Sequence, residues 1–202
     1  MTTIAFLALL LGPAQTASAR PTAATVAMDR METVLKDHVR LCNKGSLDHC
    51  VEAGRIHVSG GVPDLAKAQA LFEQACRGGQ QSGCFRLGNI YYFGQGVSVD
   101  KGRARSLYDR ACAGNVFQAC NNLGLLQLED GPTLDKLSAA TLFRKACDGG
   151  EMKGCRNLAT MHVTRAAPLM DPNLGWNLYR QACRGGDTES CDVLRRTGRA
   201  GS

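Results

Sequence analysis

The chain has 202 residues, 44% of them hydrophobic but only 5% aromatic, and a formal net charge of +6. That length is one domain's worth of chain, with little aromatic material for a broad core. Its basic residues are dispersed among acids, the densest group being Arg195, Arg196 and Arg199. No basic stripe interleaved with aromatics marks a nucleic-acid partner, so none is expected.

Residues 1–19, MTTIAFLALLLGPAQTASA, hold an apolar core from Ile4 to Leu11 and end in Ala17-Ser18-Ala19, a small-x-small cleavage signature. A buried N-terminal helix is the alternative, but Pro13 and the small residues favour cleavage. The usual basic flank is missing, and the apolar run is too short to span a bilayer. The expectation is a signal peptide over 1–19 and a periplasmic or secreted protein without a membrane span.

The ten cysteines of the chain fall into five pairs of one spacing, Cys-x7-Cys: Cys42 and Cys50, Cys76 and Cys84, Cys112 and Cys120, Cys147 and Cys155, Cys183 and Cys191. The first members are 34, 36, 35 and 36 residues apart, which is the signature of a stacked repeat array. Eight steps of helix rise about 12 Å, too far for a disulfide. Either the thiols stay apart or the chain reverses between them. Export puts them in an oxidising compartment, where paired cysteines become disulfides. No CxxC, HExxH or clustered His–Cys set argues for metal, and the four histidines are scattered, so no metal or cofactor is expected.

Alignment on the first cysteine of each pair gives one helix, B. Apolar or small residues recur at −8, −5, −4 and −1, as in Ala68, Leu71, Phe72 and Ala75, a helical stripe. At −12 stand Asp64, Asp100, Asp135 and Asp171, suited to cap the helix start. Gly78, Gly114, Gly149 and Gly185 after the cysteine suit a left-handed end. Alignment on the second cysteine gives a helix A. It carries Ala53, Leu87, Leu123, Leu158 and Leu194 at +3, then small residues (Gly54, Gly88, Gly124 and Ala159) where a neighbour must come close. Loops follow at GGVP (from Gly60), GQGV (from Gly94), DGP (from Asp130) and TRAAPLM (from Thr164). Each cysteine pair then spans the turn from helix B to helix A, and each disulfide staples two antiparallel helices.

The run ACRGGQQSGCFRLGNIYYFGQGVSVDKGRARSLYDRAC resembles the Sel1-like repeat, a relative of the tetratricopeptide repeat. Leu87-Gly88, Tyr91, Gly94-x-Gly96-Val97 and Asp100 carry the match, and the paired cysteines resemble those of the Hcp family of Helicobacter. The resemblance covers Cys42 to Cys191. It implies an all-α, right-handed α/α solenoid with intra-repeat disulfides that staple each helix pair: a capping helix over 20–41, repeats over 42–191, and a C-terminal cap and tail over 192–202. It also implies penicillin binding and slow β-lactam hydrolysis. Ser98-Val99-Asp100-Lys101 matches Ser-x-x-Lys, and Arg196–Gly198 loosely matches Lys-Thr-Gly, but there is no Ser-Asp-Asn. Ser98 falls in an inter-helix loop beside the repeat's own capping Asp100, so no catalytic residue is assigned.

By register with the tetratricopeptide pattern, helix A lines a concave groove. Phe85, Asn89 and Tyr92 face it, then Asn121, Asn122 and Leu125, then Lys153, Arg156 and Asn157. The expected function is an exported scaffold that binds a peptide or protein in that groove as a monomer. Asn89 and Asn122 would hold ligand backbone, while Lys153 and Arg156 reach a carboxylate. The alternatives are a slow β-lactam hydrolase, with a β-lactam or peptidoglycan-related peptide as ligand, and a redox or haem-linked assembly factor.

Overall fold

The structure, a computed structural model, describes residues 22–60, 63–130, 133–166 and 170–199, with backbone only at 130 and 133–135. The expected signal peptide and most of the DGP loop lie outside the described residues, as do parts of GGVP and TRAAPLM. The described residues form ten α-helices and no strand: α1 Ala23–Asn43, α2 Leu47–Ser59, α3 Leu65–Arg77, α4 Gln81–Phe93, α5 Lys101–Ala113, α6 Phe117–Asp130, α7 Thr133–Asp148, α8 Met152–Val163, α9 Pro172–Arg184 and α10 Thr188–Arg196. Odd-numbered helices are the B type and even-numbered helices the A type. Each packs against the next, and α2 also touches α4 as α6 touches α8, so the even helices line the inner side of the solenoid.

The five staples form in the expected pairs: Cys42–Cys50, Cys76–Cys84, Cys112–Cys120, Cys147–Cys155 and Cys183–Cys191. Each joins the end of a B helix to the start of the following A helix, with Cα atoms 4.5–4.8 Å apart. No cysteine is free.

Asp64, Asp100 and Asp171 cap α3, α5 and α9 by accepting from the N–H groups of Lys67, Arg103 and Asn173. Asp135 does not cap its helix. Helix α7 starts at Thr133 and runs 16 residues where the other three run 13, so Asp135 lies inside its first turn.

The helix ends are also one residue from their expected place. Gly78, Gly114 and Gly185 have φ of −70°, −84° and −79°. The left-handed residue comes next: Gly45, Gly79, Asn115, Gly150 and Gly186 have φ between 63° and 99°. At the second staple, Gly79 N–H donates to the Cys76 carbonyl and Gln80 N–H to that of Ala75, closing the helix. What requires glycine at 78, 114, 149 and 185 is contact. A Cβ there would overlap Leu47, Gln81, Phe117 and Met152 respectively, the residue three before the second cysteine of the previous pair. Each turn therefore sits on the first turn of the preceding A helix. In the GQGV loop both Gly94 and Gly96 have positive φ, 66° and 74°.

One aromatic from each of the later B helices anchors a thin core: Phe72, Tyr108, Phe143 and Tyr179, none more than 6% exposed. Small residues of the A helices admit them. A Cβ on Gly88 would lie 2.7 Å from the Tyr108 ring, and one on Gly124 2.7 Å from Phe143. Alanine fills much of the rest, with Ala53, Ala68, Ala75, Ala104, Ala111, Ala139 and Ala182 fully buried.

His162 is 5% exposed and its Nδ1 accepts the Asp171 N–H at 3.0 Å. Burial, and then the Arg144 charge, hold its pKa below the ordinary value, against the pull of Asp171. Burial lowers His57 in the same way. The unfolded chain then takes up protons that the folded one refuses, so stability is lost as pH falls below about 6.5. The expected result is a melting temperature that declines from neutral pH towards pH 5. In the folded protein the His162 imidazole should titrate below its ordinary value by NMR; titration at or above it would refute the assignment.

Candidate functional site

The inner face is built from three positions of each A helix: one, two and five residues after its cysteine. From α2 to α8 the +2 position reads Glu52, Arg86, Asn122 and Asn157, and the +5 position reads Arg55, Asn89, Leu125 and Thr160. Three and four residues apart on a helix share a face, so these side chains run along the solenoid as a strip.

Over the middle of the molecule the strip is a closed amide ladder. Tyr108 rises from α5 and its hydroxyl donates to Asn89 Oδ1 at 2.7 Å. Asn122 donates to the same oxygen at 3.3 Å, and Asn121 Nδ2 donates to Asn122 Oδ1 at 3.3 Å. Asn157 continues the line by donating to Asn121 Oδ1 at 2.8 Å. Burial pushes the Tyr108 hydroxyl pKa up to about 12, so it remains a donor at any physiological pH. Asn121, 4% exposed, serves the ladder rather than the surface. At α8 and α9 the motif recurs with Thr160 and the Tyr179 hydroxyl 2.7 Å apart.

The residues proposed from sequence as ligand contacts divide accordingly. Asn89 and Asn122 meet each other, with Asn89 still holding two amide hydrogens for a further acceptor. Lys153 is exposed at the start of α8. Arg156 is engaged: it pairs with Asp187 at 3.3 Å and with Glu189, and its side chain is only 17% exposed. Asp187 also caps α10 through the Ser190 N–H. Arg156 thus fastens the last helix to the array, which leaves Lys153 as the available cation of the pair. Farther along, Glu129 accepts from Tyr92 and Lys101, both at 2.7 Å, and those bonds, that of Lys101 first, hold its carboxyl below the usual range.

At α2 and α4 the strip opens. A cavity of about 300 Å³ is lined by Arg55, Arg86, Asn89, Phe72, Ile90 and Phe93 among others. Arg55 holds Glu52 through two contacts of 2.8 and 3.1 Å. Arg86 is partly buried, and among the described residues it has neither a hydrogen-bond acceptor nor an ion-pair partner. Burial, and then the Arg55 charge, lower its pKa, with Glu52 opposing. The sequence reading passed over Arg86, although it occupies the register of Asn122 and Asn157; reading down the +2 column would have found it.

No nucleophile assembles on this strip. Ser98 is exposed in the α4–α5 loop, before the α5 cap Asp100, so it does not share a helical turn with Lys101. Lys101 is tied to Glu129. Among the described residues no cluster of three or more His, Cys, Asp or Glu could hold a metal, and no helix is long and apolar enough to cross a membrane.

The family model for the Sel1 repeat matches residues 50–80, 81–116, 117–151 and 153–187. By those bounds each unit is an A helix followed by a B helix, so the three central staples join one unit to the next rather than lying within a repeat as expected. Among solved structures, a protective antigen of uropathogenic Escherichia coli is 25% identical with a TM-score of 0.73. The match covers 79% of this chain but 35% of that one, so the chain spans about a third of its length. A Sel1 repeat protein from Oxalobacter formigenes is 20% identical over 85% of this chain and 72% of that one, with a TM-score of 0.76. Cysteine rich protein B of Helicobacter pylori is 18% identical over 83% and 96% of the two chains, with a TM-score of 0.32. No curated protein matches the sequence. With four repeat units matched over most of residues 50–187, the chain belongs to the Sel1 repeat family.

Proposed function

We propose that this Sel1 scaffold is exported and binds a peptide or protein segment along the inner face of its even-numbered helices. Sel1 repeats are protein-interaction scaffolds, and five buried or half-buried disulfides suit a compartment outside the reducing cytosol. The observation that carries the reading is the state of the inner strip. Its hydrogen-bonded ladder stays beside uncovered apolar side chains, Phe93 at 62% and Leu125 at 37% exposure, with the exposed Lys153 at one end. Apolar anchors next to amides and a cation suit an extended peptide. The amides of Asn89 and Asn122 would take its backbone, Lys153 a carboxylate, and Arg156 would act through its hold on α10.

The test is affinity capture with oxidised protein, followed by titration of the captured partner against variants. Lys153→Ala is expected to weaken binding about tenfold or more, the loss of one charge-assisted contact. Arg110→Ala, exposed on α5, is expected to change nothing. Arg156→Ala should lower the melting temperature as well as the affinity, because it frees two carboxylates of α10. Equal affinity for Lys153→Ala and Arg110→Ala would overturn the inner-face assignment. Sustained turnover of a chromogenic cephalosporin by repurified protein, abolished by a point variant, would replace the scaffold reading with a hydrolase.

A further inference from the structure

The four junctions between successive inner-face helices follow one rule with one exception. Where the B-helix aromatic is a tyrosine, its hydroxyl meets a polar +5 residue: Tyr108 with Asn89, Tyr179 with Thr160. Where it is Phe143, the +5 residue is the apolar Leu125. At the first junction Phe72 lacks the hydroxyl, yet the +5 residue is Arg55 and the following +2 residue is Arg86. Two guanidiniums thus occupy the register that the hydrogen-bonded Asn89–Asn122 pair fills one unit later. Both line the cavity, and no carboxylate lines it with them.

Polar groups in this cavity are predominantly donors. Guanidinium has no acceptor, and Asn89 already spends its oxygen on Tyr108 and Asn122. Glu52 offsets one of the two charges from outside the cavity, which leaves an excess of one positive charge beside Phe72, Ile90 and Phe93. An anion that carries its own apolar group satisfies both halves at once. The C-terminal residue of a peptide does so within a single residue, since its carboxylate and side chain share one carbon. A volume of about 300 Å³ is at the small end for ligand sites and admits one or two residues.

We propose that the cavity between α2 and α4 receives a peptide's C-terminal residue, with Arg86 and Arg55 taking the carboxylate and Phe72, Ile90 and Phe93 an apolar side chain. This rests on the inner face being the peptide-binding face, and it assigns the end and the direction of the bound chain. The terminal carboxylate sits at the first repeats, and upstream residues run along the amide ladder towards Lys153.

The experiment is calorimetric titration of the oxidised full chain with N-acetyl-Ala-Ala-Ala-Leu as the free acid, as its C-terminal amide, and with inorganic phosphate. The acid is expected to bind at least tenfold more tightly than either the amide or phosphate. Arg86→Gln should weaken the acid at least tenfold while the helical circular-dichroism signal is kept. Phe72→Tyr is a second, independent variant. It restores the residue type of two other repeats, so it should fold, and its hydroxyl should intrude between the arginines and weaken the acid as well. Equal binding of acid and amide, or phosphate equal to the acid, overturns the proposal. If Arg86→Gln and Phe72→Tyr leave the acid unchanged while Lys153→Ala weakens it, this cavity is wrong and the inner face stands. If none of the three changes it, both assignments fall.

Discussion

Reduction with dithiothreitol is expected to remove most of the helical circular-dichroism signal at about 37 °C. By loop entropy a nine-residue ring contributes about 2.6 kcal/mol. Five such rings, even well short of additive, rival the ~5–15 kcal/mol net stability of a domain. The core cannot make up the loss, because each unit contributes one large aromatic and otherwise mostly alanine and leucine. Position in the array should decide how much each staple matters. Repeat arrays are held by nearest-neighbour interfaces, and the central staples cross the unit boundaries. Replacing both Cys112 and Cys120 by serine breaks the array in its middle and should cost about 2–3 kcal/mol in denaturant unfolding. The same change at Cys183 and Cys191 releases only α10 and should cost less. Cys183 and Cys191 are also half-buried where the other eight cysteines are buried, so mild reductant should open that bridge first. A chain that keeps its helical signal and midpoint when fully reduced would refute this account.

The regularities of the fold were legible because they repeat. Five identical cysteine spacings fix where the chain reverses, and a column of aromatics at −4 marks the buried face. Single-copy features were harder. Asp135 has the right register for a cap, but the helix begins two residues earlier, at Thr133. Gly78 and its equivalents sit where a left-handed cap is common, yet the sequence pattern cannot separate a glycine needed for its φ from one needed for lack of a Cβ. The two stand side by side here, and only Asn115 at the third turn, in the φ-positive place, hints at which is which. Arg156 shows a different limit. Its carboxylates come from Asp187 and Glu189, more than thirty residues onward, so the sequence marks it as a cation on the inner face without showing that it is occupied. Arg86 had a signal that went unread, since its column otherwise holds the amides of the ladder.

Gly149→Val is expected to destabilise the protein by about 1–3 kcal/mol, the usual cost of forcing volume into a packed interface. The φ of this position is not the cause; equivalent glycines lie at ordinary negative values. The cause is Phe117, whose ring occupies the space a side chain would need, near its root where rotation gives little relief. The turn of the fourth staple rests on that ring, so a valine must push α7 and α8 away from α6. The first staple supplies the control. Lys44 stands at the same register, two residues after Cys42, but no A helix precedes α1 among the described residues. Its side chain is exposed and tolerated for that reason. Lys44→Val should therefore change stability by no more than about 0.5 kcal/mol, as for ordinary surface sites. Urea midpoints of the two variants, measured with all disulfides intact, decide the matter. Equal losses would mean that the turn itself disfavours valine, with no part for Phe117, and equal indifference would mean that the units do not stack through Phe117.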